Sequence, residues 1–136
     1  MIGSDVALDT NQAVAILNGQ PEYEEWMASF ANIYIPVPVL GELRFGALNS
    51  QQQKSNLARV EQLSVKVVVL DLTSVTAATY AEIRLNLKSA GRPIPENDLW
   101  IAAVCLQHGI PLASHDSHFK YVEGLVIDPG PKGSNP

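Results

Sequence analysis

Short apolar runs alternate with longer stretches of helical periodicity along this chain of 136 residues. The apolar runs have the length of strands, and the periodic stretches place apolar residues on one helical face. The predicted strands are Asp5–Leu8, Ile33–Ile35, Lys66–Leu70, Leu112–Ala113 and Leu125–Ile127. The predicted helices are Gln12–Leu17, Glu22–Phe30, Val39–Leu48, Gln51–Gln62, Ser74–Ser89 and Asp98–His108.

This alternation predicts a layered α/β fold with a mainly parallel sheet. The unbroken β-branched run Val67–Val69 is typical of a strand that is covered on both faces. The segment Gly91–Pro95 breaks the chain before the last helix, which Asn97 is expected to cap. In such sheets ligands bind beyond the carboxyl ends of the strands, so we expect a functional site at that edge.

Length and composition fit one domain of ordinary globular balance, with 46% hydrophobic and 17% charged residues. We expect residues 1–128 to form this domain and the Pro- and Gly-rich residues 129–136 to be a flexible C-terminal tail. The N-terminus lacks the features of a secretory signal, and no apolar run approaches the ~20 residues of a membrane span. Because Cys105 is the single cysteine, no internal disulfide can form, which favours a reducing, cytoplasmic location.

Acidic residues stand where apolar runs end or helices begin, at Asp9, Glu42, Asp98 and Asp116. Asp9 and Asp116 follow predicted strands, whereas Glu42 and Asp98 lie in the first turns of predicted helices. The layered architecture therefore allows all of them to face one edge of the sheet. Clustered carboxylates are costly unless a positive charge offsets them, and a hard divalent cation is their usual partner. The pattern favours a metal-dependent enzyme that acts on phosphates.

The formal net charge of −5 argues against a simple basic nucleic-acid binder. The acidic residues named above account for most of that charge. Bound divalent ions would offset it locally, so an acidic chain of this kind can still handle a polyanion.

Each acidic residue also has a purely structural interpretation. Asp9, or its neighbours Thr10 and Asn11, can cap the following helix. Asp98 can interact with the positive end of its own helix, and Glu42 can be an ordinary solvated side chain. Asp116 can belong to a plain turn, with Ser114 either orienting it or stabilising the turn.

Other chemistries have less support in the sequence. A zinc site through His115 and His118 lacks further histidine or cysteine ligands at suitable spacing. Cys105 is expected to be a small buried residue, and Trp26 and Trp100 to be packing or interface residues. There is no Gly-rich phosphate loop and no nucleophile elbow of the G-x-S-x-G type.

Motifs in a fixed order carry a resemblance to a known family. They are Asp9–Asn11, Gly41–Gly46, Pro95–Ala103 and Ser114–Phe119. In this order and spacing the chain resembles the PIN-domain nucleases, and among them the VapC-type toxins of bacterial toxin–antitoxin pairs. The resemblance runs from about Val6 to Ile127, and the third motif is its most specific part.

The resemblance implies a three-layer α/β/α sandwich with a five-stranded parallel sheet. It implies an endoribonuclease dependent on Mg²⁺ or Mn²⁺, with Asp9, Glu42, Asp98 and Asp116 as the catalytic, metal-binding carboxylates. It further implies Asn11 and Ser114 as supporting polar residues and Glu96 as an additional acid. Metal-activated water would hydrolyse RNA phosphodiester bonds and leave 5′-phosphate and 3′-hydroxyl ends.

The resemblance also implies partners, namely an RNA substrate, a cognate small antitoxin protein and a second copy of the chain in a homodimer. The aromatic segment Trp26–Tyr34 is a candidate for part of the dimer interface. The alternative hypothesis is a non-catalytic interaction module of the same fold within an RNA-processing complex. A structure-specific DNA nuclease is a weaker hypothesis, because the chain is short for the extra elements that such enzymes carry.

Overall fold

The computed structural model describes residues 4–132 and contains an ordered series of strands and helices. The strands are β1 (Asp5–Leu8), β2 (Asn32–Pro36), β3 (Val68–Leu70), β4 (Leu112–Ala113) and β5 (Ile127–Asp128). The helices are α1 (Thr10–Leu17), α2 (Glu22–Ala28), α3 (Val37–Leu48), α4 (Gln53–Ser64), α5 (Ser74–Ser89) and α6 (Glu96–His108), and a 3₁₀ helix covers Ser117–Tyr121.

The strands form one parallel sheet in the order β3-β2-β1-β4-β5. The chain therefore moves outward from β1 to β3, returns to the other side of β1, and continues through β4 to β5. Helices α1, α3 and α4 pack together, whereas α5 packs on α6. Right-handed crossovers place these two helical groups on opposite faces of the sheet. The predicted α/β/α sandwich with a five-stranded parallel sheet is confirmed.

The order in which the chain adds strands reverses between β1 and β4, which are parallel neighbours in the sheet. In doubly wound sheets the crevice for a ligand opens at this position, beyond the carboxyl ends of the two strands. The residues that leave these strands are Asp9 after β1 and Ser114 after β4. The topology thus brings the first and the last of the sequence motifs to one place.

The sheet-facing side of α6 forms the centre of the core. Ala102 and Cys105 have no exposed surface, and the face is apolar, as the sequence predicts. Small side chains at these positions let the helix approach the sheet closely. Burial, and to a lesser extent the charge of Asp9, raises the pKa of the Cys105 thiol to about 12. Cys105 is therefore a packing residue, and α6 is held rigidly against the strands that carry the functional edge.

Two local predictions are wrong. Val68 is 49% exposed, because β3 is an edge strand, where neighbouring elements cover less of the chain. Asn97 does not cap α6, since the helix begins at Glu96 with Pro95 in the N-cap position. The carboxylates of the first turn already interact favourably with the helix dipole, so no side-chain cap is needed. The side chain of Asn97 instead forms a hydrogen bond with Glu42 on α3.

Part of the predicted tail contacts the domain. The carbonyl of Pro129 lies 2.6 Å from Nε2 of His115, and Pro131 is buried. Residues 133–136 of the predicted tail, and residues 1–3 of the N-terminus, lie outside the described residues. Within residues 4–132, no helix combines the length and the apolar character that crossing a membrane requires.

Candidate active site at the carboxyl edge of the sheet

Asp9 is the most buried acidic residue of the predicted site, with 5% of its surface exposed. Its backbone is extended, and its side chain caps α1 by accepting a hydrogen bond at Oδ1 from the amide of Gln12, at 2.9 Å. Its Oδ2 accepts a hydrogen bond from Oγ of Ser114, at 2.5 Å. The helix-cap interpretation and the functional interpretation are thus compatible, because each carboxylate oxygen has its own role and keeps a lone pair.

The environment of Asp9 makes its charge costly. Burial raises the pKa of this carboxyl, and the negative charges of Asp116 and Asp98 raise it further. The hydrogen bonds from Ser114 and Gln12 oppose that rise without cancelling it. A nearby cation would stabilise the ionised form of this carboxylate, because it would offset the negative charge.

Ser114 links two of the acidic residues. It follows β4, is almost fully buried, and donates its hydroxyl proton to Asp9. The same Oγ accepts a hydrogen bond from the backbone amide of Asp116, at 2.9 Å. Ser114 thereby fixes the distance between the end of β1 and the loop that carries Asp116. The supporting role that the resemblance implies for Ser114 stays a prediction.

Asp98 enters the site from the first turn of α6. Its side chain is 21% exposed, and Oδ2 lies 3.2 Å from Nδ1 of His118. Partial burial raises the pKa of Asp98, and the charge of Asp116 adds to the rise, while His118 opposes it. Asp9, Asp98 and Asp116 are therefore close enough to repel one another, and these are three of the four carboxylates that the sequence predicts at one edge of the sheet.

His118 completes the cluster, although the sequence suggested no part for it beyond an unsupported zinc pair with His115. Its Nδ1 lies 3.1 Å from Oδ1 of Asp116. Ligand atoms of Asp98, Asp116 and His118 all lie within 4.8 Å of one another. A signal for this role exists in the sequence, because an Asp often accepts a hydrogen bond from the amide two residues later. That turn forms here, with the His118 amide 2.9 Å from Oδ1 of Asp116.

Glu42 lies at the border of this cluster. It is exposed on α3, and its Oε1 accepts a hydrogen bond from the side-chain amide of Asn97. Asn97 directly precedes Asp98, so this contact ties α3 to the first turn of α6. Glu42 thus contacts the residue next to Asp98 and lies outside the group of ligand atoms formed by Asp98, Asp116 and His118.

The two remaining predicted residues lie outside the hydrogen-bonded cluster. Asn11 is exposed on the first turn of α1. Glu96 accepts a hydrogen bond from the hydroxyl of Tyr80, and Arg84 lies 3.8 Å from its other oxygen. The bond to Glu96 raises the pKa of Tyr80. The Tyr80 ring stacks on Trp100, so Glu96 belongs to a surface contact between α5 and α6.

His115 contacts residues other than those of the acidic cluster, namely Gln12 and Pro129. Its Nδ1 lies 3.3 Å from Nε2 of Gln12, whose Oε1 accepts a 2.6 Å hydrogen bond from the Tyr23 hydroxyl. Gln12 is buried, and its backbone amide donates a hydrogen bond to the side chain of Asp9. This network holds the first turn of α1 in place, and Asp9 with it.

The donor set suits a divalent cation. Carboxylate oxygens of Asp98 and Asp116 and an imidazole nitrogen converge on one small space beside the buried Asp9. Mg²⁺ and Mn²⁺ prefer oxygen ligands, and Mn²⁺ also accepts imidazole nitrogen. The mutual repulsion of the acids is the electrostatic condition that a bound cation relieves. The residues present therefore fit a metal centre.

Comparisons with known proteins agree with this geometry. A family model described as the PIN domain matches residues 6–125. The chain is 28% identical to ribonuclease VapC2 of Rickettsia felis, over 89% of this chain and 94% of that protein. It is 30% identical to the tRNA(fMet)-specific endonuclease VapC of Shigella flexneri, over 87% of this chain and 92% of that protein.

The fold comparison gives the same result. The chain is similar to one in the crystal structure of DNA-bound VapBC from Salmonella typhimurium, with a TM-score of 0.85 and 27% sequence identity. The similarity covers 92% of this chain and 97% of that chain. The range matched by the family model contains Asp9, Asp98, Asp116 and His118. The converging acids therefore lie within the region that the comparisons share.

Proposed function

Because the chain belongs to the PIN-domain family, we propose that it is a metal-dependent endoribonuclease, the VapC-type toxin of a toxin–antitoxin pair. The observation that carries this proposal is the convergence of Asp98, Asp116 and His118 beside the buried Asp9. The names of the curated relatives, which include ribonucleases and an endonuclease, support the nuclease assignment.

We propose that the carboxylates of Asp9, Glu42, Asp98 and Asp116 hold Mg²⁺ or Mn²⁺. When bound, such a cation supplies positive charge that activates water for attack on phosphorus and offsets charge on the phosphate. A side-chain nucleophile is then unnecessary, which agrees with Cys105 being buried and protonated.

The chain's own residues prepare this site. Ser114 orients Asp9 by a short hydrogen bond and holds the Asp116 loop through the same oxygen. The α6 helix presents Asp98 from a rigid, buried face, so little side-chain freedom is lost when a ligand arrives. Because Asp9 carries two hydrogen bonds, it stays oriented toward the cluster even without a cation.

The direct test measures cleavage of a fluorescently labelled RNA with Mg²⁺ or Mn²⁺, in the wild type and in Asp98→Asn. We expect the variant to lose activity by about 100- to 1,000-fold, since it removes a charge at the centre of the cluster. Asp71→Asn is the matched control, because it makes the same change at an exposed acid after β3. We expect the control to keep wild-type activity.

Excess EDTA should abolish cleavage by the wild type. Full cleavage in EDTA, or an active Asp98→Asn variant, would refute the proposal. A wild-type protein that binds Mn²⁺ but cleaves no RNA would instead favour the non-catalytic interaction module. A circular dichroism melt of each variant separates loss of activity from loss of fold.

We further propose a small antitoxin protein as the partner, because the solved neighbours include VapBC and FitAB complexes. An apolar groove suits a segment of such a partner. It lies between α1, α3 and α4, and its lining includes Val14, Leu17, Leu43 and Val60, with Glu42 and Arg59 as charged members. Val14 is 39% exposed there, so apolar surface is available for burial.

A homodimer and a cytoplasmic location remain part of the proposal. Within the predicted interface segment, Trp26 and Phe30 are partly buried and pack on the core of their own chain. Their rings meet edge to face at a centroid distance of 5.0 Å. This segment therefore offers less free apolar surface than its composition suggests. Exposed apolar side chains on α3, namely Phe45 and Leu48, are further candidates for a dimer contact.

A further inference from the structure

His118 has an unusual position for a histidine at a carboxylate cluster. One ring nitrogen, Nδ1, lies 3.2 Å from Oδ2 of Asp98 and 3.1 Å from Oδ1 of Asp116. Both oxygens are acceptors when ionised, so either Nδ1 carries a hydrogen that it donates to them, or a bound cation lies between the three atoms and uses the Nδ1 lone pair.

The separations fit a shared metal ion. Cis ligands of an octahedral ion with bonds of about 2.1 Å lie about 3.0 Å apart. The two distances from Nδ1 to the carboxylate oxygens, 3.2 and 3.1 Å, are close to that edge length. The ligand atoms of all three residues lie within 4.8 Å of one another, a grouping that could hold one metal ion.

The backbone fixes the histidine in this position. The amide of His118 donates to Oδ1 of Asp116, in the turn that opens the 3₁₀ helix. The ring is therefore carried next to the carboxylates by local geometry, with its side chain 47% exposed. The exposed ring lets a solvent molecule accept the remaining N–H when Nδ1 is a ligand.

We propose that His118 is a ligand of the active-site cation through Nδ1, so that this site binds Mn²⁺ in preference to Mg²⁺. An imidazole nitrogen suits Mn²⁺ better than Mg²⁺, which prefers oxygen ligands and retains its water shell. This inference rests on the proposed metal-dependent function and adds a nitrogen ligand to its carboxylate set. Removing the ring should reduce both the affinity for Mn²⁺ and the selectivity for it.

The test uses electron spin echo envelope modulation of the full-length protein loaded with Mn²⁺. A directly bound imidazole nitrogen modulates the echo, whereas carboxylate ligands do not. We expect nitrogen modulation in the wild type and its loss in His118→Gln, with Mn²⁺ affinity weakened about tenfold or more. The ratio of Mn²⁺ to Mg²⁺ affinity, measured by competition titration, should fall as well.

His108→Gln is the matched control, because His108 is exposed in the last turn of α6, at the opposite end from Asp98. We expect this control to keep the modulation and the affinity of the wild type. Circular dichroism melts check that each variant folds. His118→Asn provides a second variant, whose side chain is shorter than that of Gln.

The outcomes separate the inference from the proposed function. If the wild type binds Mn²⁺ without nitrogen modulation, or if the modulation persists in a folded His118→Gln, the histidine ligand is overturned while the metal site stands. If the wild type binds no Mn²⁺ at all, the metal site is overturned, and the proposed function with it.

Discussion

The acidic cluster and the apolar groove differ in the contacts that form them, and Glu42 lies at the border of the two. It lines the groove and accepts a hydrogen bond from Asn97, the residue before Asp98. The cluster is polar and is held by short hydrogen bonds, such as that from Ser114 to Asp9 at 2.5 Å. The groove is bounded by helices and includes partly exposed apolar side chains such as Val14.

This difference indicates two kinds of binding. Hydrogen bonds hold Asp9 and Asp116 in position before any ligand arrives, as a metal centre requires. The groove offers apolar area without a fixed polar pattern, which suits a protein segment that buries its own apolar side chains. Catalysis at the acidic cluster and inhibition by a partner bound in the groove would then be separable functions. Variants on each side can test that separation.

Among the variants that compare these two regions, the largest expected effect comes from Ser114→Ala. This change removes the hydroxyl that donates to Asp9 and accepts from the Asp116 amide, and so releases both acids. We expect RNA cleavage to fall by about 100-fold, the upper range for loss of a residue that orients metal ligands. Initial rates at saturating Mn²⁺ are the measurement.

Ser117→Ala is the control for that variant, because it deletes the same hydroxyl from an exposed serine at the start of the nearby 3₁₀ helix. We expect it to cleave at the wild-type rate. Equal rates for wild type and Ser114→Ala would mean that the hydrogen bonds around Asp9 do not prepare the site.

A smaller effect, confined to the groove, is expected from Val14→Glu. Burying an unpaired charge against a partner should weaken binding by about 30-fold, equivalent to about 2 kcal/mol. RNA cleavage should be unchanged, because Val14 lies on an exposed part of α1 away from the hydrogen-bonded acids. The measurement is titration with the proposed antitoxin protein.

Val75→Glu serves as the control, since Val75 is 57% exposed on α5, in the other helical layer. It should bind the partner as the wild type does. If Val14→Glu binds with wild-type affinity and Val75→Glu does not, the docking surface lies on the α5 side of the sheet.

The sequence predicts the cluster better than it predicts the contacts around it. Asp9 and Asp116 follow strands, and α/β topology brings the ends of β1 and β4 together. Such a prediction needs only strand order and the position of an acid after a strand. Asp98 is predictable for a related reason, because small residues on one face of α6 indicate which side of the helix packs on the sheet.

Contacts that depend on the relative placement of helices could not be predicted. The hydrogen bond from Asn97 to Glu42 joins residues far apart in sequence, one on α6 and the other on α3. His118 was missed for another reason. Its role follows from a turn in which Asp116 accepts the His118 amide, and turn geometry is weakly specified by residue type.

The smallest expected effect, and the one that decides where Glu42 belongs, comes from Glu42→Gln. The amide keeps an oxygen that can accept from Asn97, so the change removes charge and little else. If Glu42 serves the cation, Mn²⁺ affinity and RNA cleavage should each fall by about tenfold, with partner affinity unchanged. Glu25→Gln, at an exposed position on α2, is the matched control and should alter neither property. Weaker partner binding with wild-type Mn²⁺ affinity would assign Glu42 to the groove, and the metal would then depend on Asp9, Asp98, Asp116 and His118 alone.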